Sequence, residues 1–314
     1  MGLSHIKKIA ARKGGYDISN MKNYWEITHP AISSQTKTIL NEYLLSLKLA
    51  NKAEATIKKY RGVLERFFSE CTIPLGELTS EDALHWLHGF SEGKKTGTIN
   101  VVISVLSSFF QFCLAEEYLE KVIIKKRWRP KIHRPLPKYL TEQEYVRVKL
   151  AAEKLSFRDR FLILFLLSSG CRRSEAAQLN IEDIQLEKRT VAVKGKGKKI
   201  RNIHFSEECA LVLKEYLKTR SGNKEEPLFL NRFGQRLSGN GIYVITTKLG
   251  KLAELTQSLH PHCFRHTFAT YMLARGATIE FIADELGHSD LDTTRVYASI
   301  PTEELILVYQ NKMG

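Results

Sequence analysis

The stretch Lys121–Lys138 holds eight lysines and arginines, three prolines and no acidic residue. Proline fixes φ and pushes the residue before it out of the helical region, so this run cannot carry one helix through. Its charge density also keeps it out of a core. The stretch therefore divides the 314-residue chain, and that length supports about two domains, each able to bury its own interior. We read residues 1–30 as a flexible basic arm, 31–120 as a first domain, 121–138 as a linker and 139–314 as a second domain.

Before the linker the apolar residues recur at helical spacing. Ile39, Leu40, Tyr43, Leu44 and Leu47 make one stripe, and Ile57, Tyr60, Leu64, Phe67 and Phe68 a second. Thr79-Ser80-Glu81-Asp82 has the capping chemistry to open a third helix, with Leu84, Trp86 and Leu87 facing inward. A fourth begins at Thr98, its apolar face running from Ile99 through Val102, Leu106 and Phe109 to Cys113. Four amphipathic helices with short connections predict a small bundle. The aromatics belong to its core. Lys58 and Lys59 lie on a solvated face or against phosphates, and periodicity does not separate the two.

After the linker, Thr141-Glu142-Gln143-Glu144 is a second capping signal, and the apolar run Phe161–Leu167 ends at Ser168-Ser169-Gly170. A short helix starting with Arg172 and Arg173 follows. Ile184–Leu186, Val191–Val193 and Ile200–Phe205 read as three strands, the last two joined by Lys194-Gly195-Lys196-Gly197-Lys198-Lys199. Glycines between lysines make a hairpin tip that can lay an ammonium against a phosphate, although such a tip is more often simply solvated. Ser206 caps a further helix through Leu217, and Asn240–Leu255 reads as another. The expected fold is mainly α: a four-helix bundle, then a mostly helical domain with a small three-stranded antiparallel sheet.

The net charge of +14 and pI near 9.5 point to a polyanionic partner, nucleic acid before membrane. A like-charge run is usually just solvated. In a linker of so basic a chain, Lys126, Arg127, Arg129, Lys131 and Arg134 are candidates for DNA-backbone contacts. The longest uninterrupted apolar run, Phe161–Leu167, has the length of a buried helix and not of a membrane span. The opening residues lack the apolar core of a signal peptide. Five scattered cysteines without a CxxC pair fit reduced thiols in a cytoplasmic protein.

Chemistry concentrates between Leu259 and Tyr297. Pro261 can open a helix, placing His262 and Arg265 near its free N–H groups, where cations and the dipole make an anion site. Gly276 is expected to end that helix. Ile279, Phe281, Ile282 and Leu286 supply the apolar face of the next, followed by Gly287, His288 and, nine residues on, Tyr297. His260, His262, Cys263 and His266 could instead be a zinc cluster, though without the Glu that the zincin pattern places between its histidines. Tyr297 alone is an ordinary packed tyrosine. It gains meaning from its neighbours.

Taken together, Gly170-Cys171-Arg172-Arg173-Ser174-Glu175, Gly195-Lys196-Gly197, His262-Cys263-Phe264-Arg265-His266, Leu286-Gly287-His288 and Tyr297 resemble the tyrosine recombinase (phage integrase) family, in its order and spacing. The likeness spans roughly Gln35 to Leu307, with the build of the simple Xer-like members. Cys171 and Arg173 stand where the family usually has apolar residues, and Phe264 where Leu is common.

The resemblance implies a core-binding bundle and a catalytic domain closing on duplex DNA, and cleavage and rejoining through a 3′-phosphotyrosyl link. No metal and no other cofactor is implied. Tyr297 would be the nucleophile. Arg172 and Arg265 would bind the non-bridging oxygens, Lys196 would protonate the leaving 5′-oxygen, and His288 would donate to the phosphate. His262 would manage the tyrosine proton, with Glu175 and His266 in support. It further implies a homotetramer on two synapsed sites, a dimer on each, in which the tail after Pro301 packs on a neighbour; a sister recombinase or accessory protein is an additional possible partner. Two other readings use the same residues: a type IB topoisomerase-like enzyme, and a non-catalytic DNA-binding protein on the same fold.

Overall fold

The computed structural model describes residues 24–131, 137–195, 199–220, 223–288 and 291–298. The first 23 residues, Arg134, Lys196 and the tail after Pro301 lie outside them. The chain divides into two compact units, Met1–Arg134 and Pro135–Gly314.

The first unit is built on α1 (Ser34–Leu49), α2 (Glu54–Glu70), α3 (Ser80–Ser91) and α4 (Thr96–Ala115). Thr79 accepts from the Asp82 N–H while the Asp82 carboxylate accepts from the Thr79 N–H, a reciprocal cap that starts α3. The stripes of α1, α2 and α4 meet in one core around Leu40, Leu44, Leu64, Phe67, Phe109 and Phe110. Edge-on ring contacts such as Phe67–Phe68 at 4.9 Å fill it.

Four expectations for this unit change. Leu84 is exposed, because Ala83 and Leu87 take the buried side of α3 and Leu84 lies about 100° round the helix. Residues 24–30 are not a free arm: Ile27 is buried, its N–H donates to Asn41 Oδ1 at 2.7 Å, and Arg61 donates to the Tyr24 carbonyl. The start of the expected linker also belongs here. Ile123 and Ile124 are buried and Trp128 packs on the core, where the charge of the stretch led us to expect no core contact, and a short 3-10 turn forms at Lys126–Trp128. Finally, α4 is long and apolar enough to cross a membrane, which a count of uninterrupted apolar residues misses. Its Val102, Ile103, Leu106, Phe109 and Cys113 are buried against the bundle, as in the core helix of a folded domain.

The second unit centres on α6 (Phe157–Ser169), whose residues Phe161 to Leu167 are all buried. A helix apolar all round needs cover on every side. Here α5 (Glu142–Glu153), α8 (Glu207–Lys218) and α10 (Pro261–Ala274) pack on it. Each Leu or Phe so buried contributes roughly 1.5–3 kcal/mol. Gly170 ends α6 in the left-handed region, φ 59°. The short α7 (Arg173–Gln178) then leads to β1 (Ile184–Gln185), β2 (Thr190–Lys194) and β3 (Ile200–His204). These form an antiparallel sheet in sequence order, Val193 opposite Arg201 and Lys194 opposite Ile200. Helices α9 (Gly239–Leu252), α11 (Ile279–Leu286) and α12 (Asp292–Ala298) complete the unit. Phe281, expected on the inner face of α11, is exposed: Ile282, Ala283 and Leu286 occupy that face. All five cysteines are free, four of them buried.

Candidate active site

Three chain corners and one helix bring the site together. The first corner follows Gly170. Arg172 is the N-cap of α7, in extended conformation, and the Glu175 carboxylate accepts from its N–H at 3.0 Å and from its Nη1 at 2.8 Å. Glu175 is almost wholly buried. Burial alone would raise its pKa, but hydrogen bonds and charge from Arg201, with help from Arg172, hold it below the usual carboxylate value.

The helix is α10, with Pro261 at its first position as its fixed φ favours. Arg265 is buried and donates from Nη1 to the Gly170 carbonyl at 2.9 Å and from Nη2 to the Leu286 carbonyl at 2.7 Å. It thus clasps the ends of α6 and α11. Desolvation, then the neighbouring Arg172, lowers its pKa to about 10, which still leaves it a cation at neutral pH.

The second corner is Gly287-His288, where Gly287 ends α11 at φ 62°. His288 Nε2 lies 2.8 Å from Arg265 Nη2 and its Nδ1 2.7 Å from Thr294 Oγ1. A guanidinium has only donors, so Nε2 must accept and Nδ1 carries the proton toward Thr294. Desolvation, followed by the charges of Arg265 and Arg172, lowers the His288 pKa to about 4. Both ring nitrogens are therefore engaged. Donation from Nε2 to a phosphate requires Arg265 to release it first.

Tyr297 on α12 is buried, and its hydroxyl is 2.8 Å from His266 Nδ1. Burial raises the phenol's pKa while Arg265 and Arg172 pull it down, with a net rise. His266, lowered to about 4 chiefly by desolvation and then by His262 and Arg265, is neutral at pH 7 and can take a proton. The structure therefore sets His266 beside the tyrosine, where His262 was expected. His262 is exposed, one turn earlier on the same helix, its ring 6.5 Å from that of His266. The two are four residues apart, and it is the depth of α10 in the domain that selects the inner one.

The third corner is the β2–β3 hairpin. Lys196 falls outside the described residues, but the base of the hairpin is ordered by Gly195 N–H donating to the Lys199 carbonyl at 2.8 Å. Arg201, which follows it in β3, joins the site without having been expected there. It forks both Glu175 oxygens at 3.0 Å. The sequence signal was an arginine on the inner face of a strand, level with buried Ile203. With Glu175 ionised, Arg172, Arg201 and Arg265 leave this cluster two net positive charges. Among the described residues no three His, Cys, Asp or Glu side chains gather as metal ligands.

In the first unit, Lys58 and Lys59 are exposed and border a shallow cavity of about 430 Å³ with Arg66, Phe90 and Thr98. Lys58 also pairs with Glu54 at 2.6 Å. Lys126, Arg127, Arg129 and Lys131 are exposed.

A mostly helical domain in which Arg172, Arg265, His266, His288 and Tyr297 gather beside a small sheet defines a class, and comparison with known proteins gives it a name. Residues 138–304 match the phage integrase family and residues 39–120 the phage integrase N-terminal SAM-like domain. The chain belongs to the phage integrase, or tyrosine recombinase, family. It is 37% identical over 272 residues to tyrosine recombinase XerA of Pyrococcus horikoshii, covering 85% of this chain and 90% of that one. It is 31% identical to tyrosine recombinase XerC of Thermodesulfovibrio yellowstonii, with 88% and 96% covered. Among solved structures, XerH recombinase bound to a palindromic difH substrate in a post-cleavage complex shares the fold at TM-score 0.70 and 21% identity, over 93% of each chain. The XerA recombinase crystal structure aligns at TM-score 0.52 and 27% identity, over 87% of this chain and 99% of that one.

Proposed function

We propose that this tyrosine recombinase cuts and rejoins duplex DNA at a specific site through a phosphotyrosine bond. The observation that carries the proposal is the gathering of Arg172 and Arg265 at the Gly287–His288 turn, from which His288 bonds Thr294 on the helix that presents Tyr297. Tyr297 attacks the scissile phosphate and the 5′-oxygen leaves, giving a 3′-phosphotyrosyl link and a free 5′-hydroxyl. A phenol with an ordinary pKa of about 10 is a better leaving group than an alcohol. A DNA 5′-hydroxyl can therefore reverse the step, conserving the bond energy without ATP. Arg172 and Arg265 neutralise the charge that builds on the non-bridging oxygens. A preorganised donor of this kind is worth about 3–4 kcal/mol. Neutral His266 receives the tyrosine proton, and Lys196 supplies one to the 5′-oxygen. These cations replace a metal, so the reaction proceeds in EDTA.

Lys58, Lys59 and the exposed cations from Lys126 to Lys131, with Arg134, contact the DNA backbone. A homotetramer on two sites is proposed with this, each protomer's apolar tail seated on its neighbour. An open cavity of about 330 Å³ lined by Leu164, Leu167, Phe268, Tyr271 and Phe281 suits such a tail. A cytoplasmic location fits duplex DNA and five free thiols.

The test uses nicked suicide substrates cut from the DNA flanking this protein's gene. In EDTA, wild type forms an SDS-resistant adduct through a 3′-phosphate and Tyr297→Phe forms none, a loss of at least about 1000-fold. An adduct that persists in the Phe variant removes Tyr297 as nucleophile.

A further inference from the structure

Arg201 spends every nitrogen of its guanidinium on the frame of the site. Nη1 and Nη2 fork the two Glu175 oxygens, each at 3.0 Å, and Nε donates to the Glu285 carbonyl at 3.0 Å. Glu175 is the same carboxylate that holds the Arg172 N–H and Nη1. Glu285 lies in the last turn of α11, two residues before Gly287 and three before His288. Two glycines leave the space that the guanidinium fills. A Cβ on Gly287 would come within 2.8 Å of Arg201 Cζ, and one on Gly195 within 3.1 Å of its Nη1. Gly195 precedes Lys196 in sequence, and Gly287 precedes His288. The guanidinium is thus enclosed by the carboxylate that aims Arg172, by the base of the lysine hairpin and by the turn before His288.

We infer that Arg201 is the positioning residue of this active site, a planar fork that locks the α7, hairpin and α11 corners in register for the reaction. It touches no reacting atom. It acts through Glu175 and Arg172 and through the two glycine turns. A buried carboxylate shared by two arginines is costly unless fully paired, and Arg201 supplies two of its four N–H donors, one to each oxygen. Lysine would keep the charge but could not fork Glu175 while also reaching α11.

The inference rests on the recombinase reading above, and its test separates the two. Wild type, Arg201→Lys, Arg172→Lys and the double variant are compared for adduct formation in a single turnover on nicked duplex, for DNA affinity and for thermal unfolding. Arg201→Lys is expected to bind DNA within about 2-fold of wild type and unfold within a few degrees of it, yet cleave about 10- to 100-fold more slowly. The double variant is expected to be no slower than Arg172→Lys by more than about 2-fold, because both changes disable one unit. An Arg201→Lys rate equal to wild type, or rate losses that multiply in the double, overturns the inference. No adduct with wild type overturns the recombinase reading instead. Should Arg201→Lys not fold, the pair Glu175→Gln/Arg201→Gln removes the two opposed charges together and carries the same expectation: intact binding with slow cleavage. Fast cleavage by that pair refutes the role.

Discussion

At the scale of residues, the site holds its histidines neutral and its arginines charged. His266 and His288 have pKa values lowered to about 4, with desolvation the largest cause in each. The sign for stability follows from proton counts. Below about pH 6.5 the unfolded chain protonates these imidazoles, while the folded protein resists until about pH 4. Stability is therefore expected to fall as pH drops through that window and to level off below it. Thermal unfolding between pH 7.5 and 4.5 should show Tm decreasing by a few degrees, with part of the slope removed in His266→Asn. A slope identical in the variant would mean that this imidazole does not contribute. Cleavage should remain nearly constant from pH 8 to about 5 on the same account and decline toward pH 4, as His266 loses its capacity to accept a proton.

At the scale of elements, the corners matter more than the helices they join. Gly170 and Gly276 both sit at positive φ, 59° and 85°, so alanine at either is strained. Their surroundings differ. A Cβ on Gly170 would come within 2.6 Å of Phe268 Cδ1 and 2.7 Å of Leu286 Cδ2, whereas one on Gly276 meets nothing within 4 Å. Gly276→Ala should cost about 1 kcal/mol, and Gly170→Ala a further 1–3 kcal/mol from overpacking. Gly170→Ala should also slow cleavage, since the Gly170 carbonyl receives Arg265. Equal Tm losses in the two variants would show that the close approach to Phe268 relaxes freely. Capping signals at Thr79 and Thr141 were legible because each is local: a hydroxyl and a carboxylate three residues apart satisfy the first N–H groups whatever the rest of the chain does. Leu84 and Phe281 were misplaced for the converse reason. A short helix has several plausible apolar faces, and only its neighbours select one.

At the scale of the whole molecule, a chain of net charge +14 meeting a polyanion should bind with strong salt dependence. Removing the residues after Pro301 is expected to leave single-site binding within about 2-fold while reducing paired-site assembly and cleavage at least about 10-fold. Gel-shift titration and synapsis assays on the same DNA check this. A parallel loss of both would take the tail out of assembly and put it in the fold.

The sequence by itself determined the two-part chain, the helical bundle, the presence and antiparallel sense of the three strands, and candidates for the site, without Arg201 among them. Those features depend on periodicity, capping and motif spacing, which act over a few residues or recur in a family. Tertiary structure decided which histidine reaches Tyr297, that His288 accepts from Arg265, and that Arg201 shares Glu175 with Arg172. Contacts spanning 23, 26 or 31 positions depend on how deeply α10 sits and how β3 and α11 meet. No spacing along the chain records that, because burial and direction arise only when separate elements pack.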